Sequence, residues 1–154
     1  MSSAVEKRLG DMGNVLPPVG QPKGSYVLYQ KVGSMIYTAG HIPQKEDGTL
    51  WTGKVGAELT VEEGQEAARA ATLALIATLK EASGDLDKCN IVKITGFVNC
   101  PSTFAAQPTV INGASDLLAA AFEGQMGLHA RSALGANALP LDVAVEIEAI
   151  VEII

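Results

Sequence analysis

Basic residues, cysteines, histidines and long apolar runs are all scarce in this chain, and each shortage removes a class of function. Lys and Arg total 11 against 17 Asp and Glu, giving a net charge of -6 and an isoelectric point near 4.8. A face that grips phosphates needs clustered cations. The cations here are scattered, so nucleic acid is not an expected partner, although a local basic pocket is compatible with the count. Cys89 and Cys100 are the only cysteines and His41 and His129 the only histidines, with no ligand spacing among them. A zinc site is therefore not expected, and the two thiols read as buried or partly buried groups in a reducing compartment. No segment reaches 18 uninterrupted apolar residues, so no membrane span is expected. Glu6, Lys7, Arg8 and Asp11 take the place of the apolar core of a secretory signal, and the expected location is the cytoplasm. The chain has no G-x-G-x-x-G, P-loop, H-E-x-x-H or G-x-S-x-G motif. Nucleotide and metal chemistry are not suggested, and no cofactor is expected.

What is present is 154 residues with 47% hydrophobic content, enough for one domain, residues 1–154, around one core. Ala4–Leu9 reads as a short helix stopped by Gly10 and Gly13. Residues 14–24 hold Pro17, Pro18, Gly20, Pro22 and Gly24 and read as irregular, so that 1–23 forms an N-terminal arm. Tyr26–Val32 and Met35–Ala39, joined at Gly33-Ser34, read as an antiparallel hairpin. Thr60 and Glu63 form a capping-box pattern that starts a helix running to about Ala82, near Gly84. Ile91–Asn99 is a strand ended by Pro101. A second helix is expected from near Pro108 to Phe122, and strands at 129–136 and 143–153 close the chain. The order ββ-α-β-α-ββ predicts an α+β sandwich, a mixed and mostly antiparallel sheet with two helices on one face.

The C-terminal strand alternates strictly. Leu141, Val143, Val145, Ile147, Ala149, Val151 and Ile153 share an apolar face, while Asp142, Glu146, Glu148, Ile150, Glu152 and Ile154 share the other. If a short turn at 137–140 pairs Ala136 with Leu141, Arg131 falls opposite Glu146. That register is not fixed by the sequence. One reading is a surface ion pair of little energetic weight. The other is a site in which Arg131 holds a substrate carboxylate and Glu146 handles a proton or a water. Tyr26 and Tyr29 read as strand packing, and Asn112 as a helix residue with a local side-chain to backbone bond. His41 and His129 read as ordinary polar or interface residues. Apolar residues such as Ile150 and Ile154 on the sheet face without helices give a physical motive for self-association.

The residues Gly24-Ser25-Tyr26-Val27, Ile36-Tyr37-Thr38-Ala39-Gly40-His41-Ile42-Pro43 and Gly96-Phe97-Val98 resemble the Rid/YjgF family. So, most specifically, does Ala130-Arg131-Ser132 … Leu139-Pro140 … Val145-Glu146-Ile147-Glu148-Ala149-Ile150. These are the reactive intermediate deaminases, long known under the label endoribonuclease L-PSP. The resemblance covers about residues 24–153 and is nearest to a subgroup with a longer N-terminal arm and an Ile-Asn-Gly-Ala-Ser-Asp-Leu-Leu helix. It implies a chorismate-mutase-like fold, a homotrimer with active sites in clefts between subunits, and cofactor-free hydrolysis of enamines and imines such as 2-aminoacrylate to 2-oxo acids and ammonia. On that pattern Arg131 grips the substrate carboxylate and Glu146 positions or activates water. Tyr26 lines the cleft and Asn112 lies near it. Two substrate-binding positions depart from the pattern: Ala39 replaces a serine and Ala133 a residue that is commonly cysteine. His41 stands where the family has glutamine. The alternative is a non-catalytic trimer that binds small carboxylates in the same cleft. A ribonuclease is disfavoured by the acidic balance.

Overall fold

The computed structural model describes residues 2–154. Helix α1 (Ala4–Asp11) is followed by strands β1 (Tyr29–Val32) and β2 (Met35–Thr38), then helix α2 (Val61–Ser83) and strand β3 (Cys89–Asn99). Helix α3 (Gln107–Ala121) and strands β4 (Ala130–Ala136) and β5 (Val145–Ile153) complete the chain. The two long helices cover one face of a five-stranded sheet in the order β1-β2-β5-β3-β4. The sheet is mixed: β3 and β4 run parallel, joined through α3, and the other pairs are antiparallel. Among the described residues no helix is long and apolar enough to cross a membrane.

Local chemistry explains the helix bounds. The Thr60 hydroxyl accepts from Glu63 N at 3.1 Å and the Glu63 carboxylate accepts from Thr60 N at 3.0 Å, which satisfies N–H groups that lack helical partners. Gly84 ends α2 with φ of 76°, a left-handed conformation that glycine adopts at no steric cost. The buried stripe of α2 is rich in alanine, including Ala67, Ala68, Ala71 and Ala82. Small side chains bring α2 close to α3, where a Cβ added at Gly113 would lie 2.2 Å from the Gln65 carbonyl oxygen.

The first half of the arm is docked on the body. Val5 and Leu9 of α1 are buried in the main core. The free N–H groups of Ala4 and Val5 donate to the Asp87 carboxylate at 2.9 and 3.0 Å, a favourable charge for a helix N-terminus. Arg8 Nε donates to the Ala121 carbonyl at 2.7 Å.

In β5 the expected apolar face holds: Val145, Ile147 and Val151 are fully buried and Ala149 nearly so. Leu141 does not share it, because the strand starts only at Val145 and Leu141 lies 57% exposed in a short turn, with φ of 59°. The first strand is also shorter than expected, so Tyr26 lies outside the sheet.

The larger correction concerns β4 and β5. They are not neighbours, because β3 lies between them. Arg131 pairs with Ile94 and Ile94 with Ala149, whereas Glu146 pairs with Phe97. The segment between the strands is not a hairpin turn. Asn99 Nδ2 donates to both the Asp142 carboxylate and the Val143 carbonyl at 3.1 Å. Thr52 bridges Val143, and Val55 N donates to Asn99 O at 2.8 Å. These contacts fasten the 137–144 segment around the end of β3 and carry the chain past it to the far side.

Candidate functional site

Six positions were named from the sequence, and the chain places them in two groups. The first gathers on β4 and α3. Residues paired across a sheet share a face, and the partners of Arg131 in the ladder, Ile94 and Ala149, are buried under the helices. Arg131 therefore leaves the sheet on the helix side, at the edge strand, and lies against α3. Its Nη1 donates to Asn112 Oδ1 at 2.9 Å and Ser115 Oγ at 3.1 Å, and its Nη2 donates to the Pro108 carbonyl at 3.2 Å. Asn112 thus spends its side-chain oxygen on Arg131, not on the local backbone bond expected for it. Ala133 stands two residues on along the same face, opposite Gly96.

The acceptors around Arg131 are neutral. Among the described residues no carboxylate forms an ion pair with it. A guanidinium fixed by neutral oxygens, with donors left over and no counter-ion, is prepared for an external carboxylate, which it can hold through two parallel bonds.

The second group surrounds Glu146 on the face without helices. Glu146 lies against Gly40, where an added Cβ would sit 2.3 Å from its Oε1. The missing side chain at Gly40 is what gives the carboxylate its place. Ala39 precedes it, and Ala39 N donates to Leu28 O at 2.8 Å, which draws the segment containing Tyr26 alongside. Tyr26 is 48% exposed, and its hydroxyl accepts from Lys23 N at 3.2 Å. Burial, and then repulsion from Glu148, raise the Glu146 carboxyl above its ordinary range, which favours its protonated form. Replacing Glu148 by Gln removes the repulsion. The acid limb of any reaction that uses the Glu146 carboxylate should then move to lower pH in a kcat/KM profile, and an unmoved limb would deny the coupling.

Arg131 and Glu146 lie on opposite faces, two strands and three residues apart. Strand spacings put their Cα atoms about 14 Å from each other. One chain does not bring them to one substrate. A cleft of about 490 Å³ lies elsewhere, between α1, the arm and α2, beside Leu9, Asn14, Leu16, Pro17 and Lys80.

Both histidines do more than the sequence reading assigned them. His41 is buried beneath the sheet, with Nδ1 donating to the Ala39 carbonyl and Nε2 2.8 Å from the Thr78 hydroxyl. Burial lowers its pKa. The folded state therefore favours neutral His41, and its contribution to stability is complete above the unfolded value, about 6.5, and lost as pH falls through the lower folded value. Denaturation midpoints for wild type should thus fall between pH 7.5 and 5 more steeply than for His41→Gln; equal slopes would contradict this. His129 makes a corresponding pair of contacts, to Ser115 and Gly127. The available signal was spacing: His129, just before β4, and Arg131 are two apart, and Asn112 and Ser115 are three apart on one helix face. Among the described residues no group of three or more His, Cys, Asp or Glu side chains could hold a metal ion.

The family model described as "YjgF/chorismate mutase-like, putative endoribonuclease" matches residues 6–153. Protein TCP17 of Trypanosoma cruzi is 41% identical over 153 residues, 99% of this chain and 96% of its own. The crystal structure of Atu1372 from Agrobacterium tumefaciens has a TM-score of 0.90 at 38% identity, over 98% of this chain and 93% of that one. The crystal structure of a "putative endoribonuclease" from Shewanella oneidensis has a TM-score of 0.92 at 36% identity, over 97% of this chain and 99% of that one.

Proposed function

Because the chain belongs to the YjgF/chorismate-mutase-like family, we propose that it hydrolyses enamines and imines of the 2-aminoacrylate type to 2-oxo acids and ammonia. The observation that carries this reading is Arg131, held by Asn112, Ser115 and the Pro108 carbonyl with no carboxylate of its own. The substrate is a small carboxylate bearing a C=N bond. Arg131 binds the carboxylate, and Glu146 takes a proton from water as its oxygen adds to the imine carbon. Glu146 hands that proton to the nitrogen, which completes the carbinolamine. It then takes the hydroxyl proton as the C=O bond forms and the C–N bond breaks, and delivers it to the departing nitrogen, so imine and one water give 2-oxo acid and one ammonia. No step calls for a cofactor or a metal.

The reading also requires a second copy of the chain, since Arg131 and Glu146 of one subunit face away from each other. The sheet face without helices exposes Tyr37 (45%), Leu134 (48%) and Val32 (65%), an apolar surface of the kind buried in oligomers. A homotrimer, with Arg131 of one subunit across a cleft from Glu146 of the next, joins the two groups. Nucleic acid and membrane surfaces are not partners in this reading. The cytoplasm, where Cys89 and Cys100 stay reduced, is the location that fits it.

The test is release of ammonia and 2-oxo acid from imines generated in situ by an amino-acid oxidase. Acceleration over the spontaneous rate is expected, and none would contradict the proposal. Ala39 and Ala133, which lack the hydroxyl or thiol of the family pattern, favour a second reading: a trimer that binds small carboxylates without turning them over. Saturable calorimetric binding of a 2-oxo acid, with no acceleration of imine hydrolysis, would select it.

A further inference from the structure

The contacts behind Arg131 form a directed chain. Arg131 Nη1 donates to Ser115 Oγ at 3.1 Å, and Ser115 Oγ lies 2.9 Å from His129 Nε2. His129 Nδ1 lies 2.8 Å from the Gly127 carbonyl. A carbonyl only accepts, so Nδ1 carries the proton of the neutral ring. Arginine only donates, so the Ser115 oxygen receives from Nη1 and its own hydrogen is free to point at Nε2. Each of the three bonds has one donor and one acceptor. Gly127 is itself held in place: a Cβ there would lie 2.4 Å from Phe122 O and 2.6 Å from Leu118 O. The chain therefore ends on packed backbone, not on solvent.

We propose that His129 is a positioning residue for the carboxylate grip: acting through Ser115, it fixes the guanidinium plane of Arg131. This rests on Arg131 being the carboxylate-binding group. The mechanism is geometric. A guanidinium held by only Asn112 at Nη1 and Pro108 at Nη2 can still rock about its Nε–Cδ bond, at a cost in orientation when it must meet a planar carboxylate. Asn112 and Ser115 at Nη1, with Pro108 at Nη2, fix its plane from two sides. His129 keeps the Ser115 hydroxyl turned so that a lone pair, not a hydrogen, faces Arg131. Orientation of this kind governs how well two parallel N–H···O bonds can form. Neither His129 nor Ser115 needs to touch the substrate.

The experiment uses the full chain as wild type, Ser115→Ala, His129→Phe and His129→Gln, with two readouts. The first is the ¹⁵N spectrum of the Arg131 side chain and the His129 ring. Wild type should show separate Arg131 Nη signals and a His129 ring protonated at Nδ1. In Ser115→Ala and His129→Phe, with Asn112 and Pro108 still holding Nη1 and Nη2, the Nη signals should broaden and draw together as exchange of the two nitrogens speeds up. His129→Gln, whose amide oxygen can accept where Nε2 did, should restore them. The second readout is calorimetric binding of pyruvate, expected to weaken about tenfold in Ser115→Ala and His129→Phe and to recover in His129→Gln, the order of one hydrogen bond to a charged group. In turnover the loss should fall on KM more than on kcat.

A His129 ring protonated at Nε2 in wild type would overturn the proposal, and that result needs no variant to fold. So would Arg131 signals indifferent to both Ser115→Ala and His129→Phe. Failure of wild type to bind pyruvate, with the spectra still responding as described, would instead sink the carboxylate-grip reading and leave the positioning chain standing.

Discussion

Arg131→Ala should lower kcat/KM for imine hydrolysis by roughly a hundred- to a thousandfold, the range that follows when one partner of a desolvated charge pair is removed. The guanidinium supplies charge and a planar pair of donors, and no other cation among the described residues is held at that place by neutral acceptors. Arg131→Lys should recover only part of the loss, because an ammonium is a point donor that cannot form the same parallel pair. The fold should survive both changes. Arg131 is only partly buried, and its removal leaves Asn112 and Ser115 at a site open to water. Steady-state kinetics on imines formed in situ, with thermal unfolding as a folding control, checks this. Full activity in Arg131→Ala would remove the arginine from the mechanism.

The largest expected effect on stability lies between the two long helices. Gly113→Ala should cost about 3 kcal/mol, the upper end of ordinary overpacking, and lower Tm by roughly 6–12 °C in a domain of this size. The new Cβ would lie 2.2 Å from Gln65 O and 2.9 Å from Gln65 C and Cα. These are backbone atoms of α2, which cannot rotate away as a side chain can. Separating the helices would loosen α3 from the sheet, where Ile111 already fills the space that a Cβ on Gly96 would take, at 2.5 Å. The intrinsic helix preference for alanine over glycine, about 1 kcal/mol, opposes the loss but is smaller. Gly10→Ala separates the two effects. In α1 its Cβ would meet nothing within 4 Å, so propensity acts alone and a gain of about 0.5–1 kcal/mol is expected. Loss of stability at Gly10, or a gain at Gly113, would reverse the steric reading.

Elements whose signals are local were legible in the sequence. The Thr60/Glu63 capping box and Gly84 bound α2 to within a residue at each end, because capping is chemistry among neighbours. The alternation of β5 named its buried face correctly from Val145 onward. Sheet order was not legible. A segment containing Asn137 and Pro140 resembles a hairpin turn, but the side chain that carries it past β3, Asn99, lies 43 residues from Asp142 in sequence. No window along the chain contains both. The error mattered for the site, because the presumed hairpin placed Arg131 opposite Glu146 in one subunit. Period-two geometry, applied to the true ladder, places them on opposite faces. The sequence pattern pointed to these residues but not to how they are arranged.

In the proposed homotrimer, Arg131 of one subunit and Glu146 of another form one site. Mixing inactive variants tests it most directly. Arg131→Ala and Glu146→Gln chains, unfolded together in equal amounts and refolded, should regain about a quarter of wild-type activity. In a ring closed by one type of interface, that share of interfaces unites an intact arginine with an intact glutamate. Recovery near that level, absent from either variant refolded alone, is the predicted result. A mixture no more active than its two components would mean that each chain carries its own site, and would contradict the account.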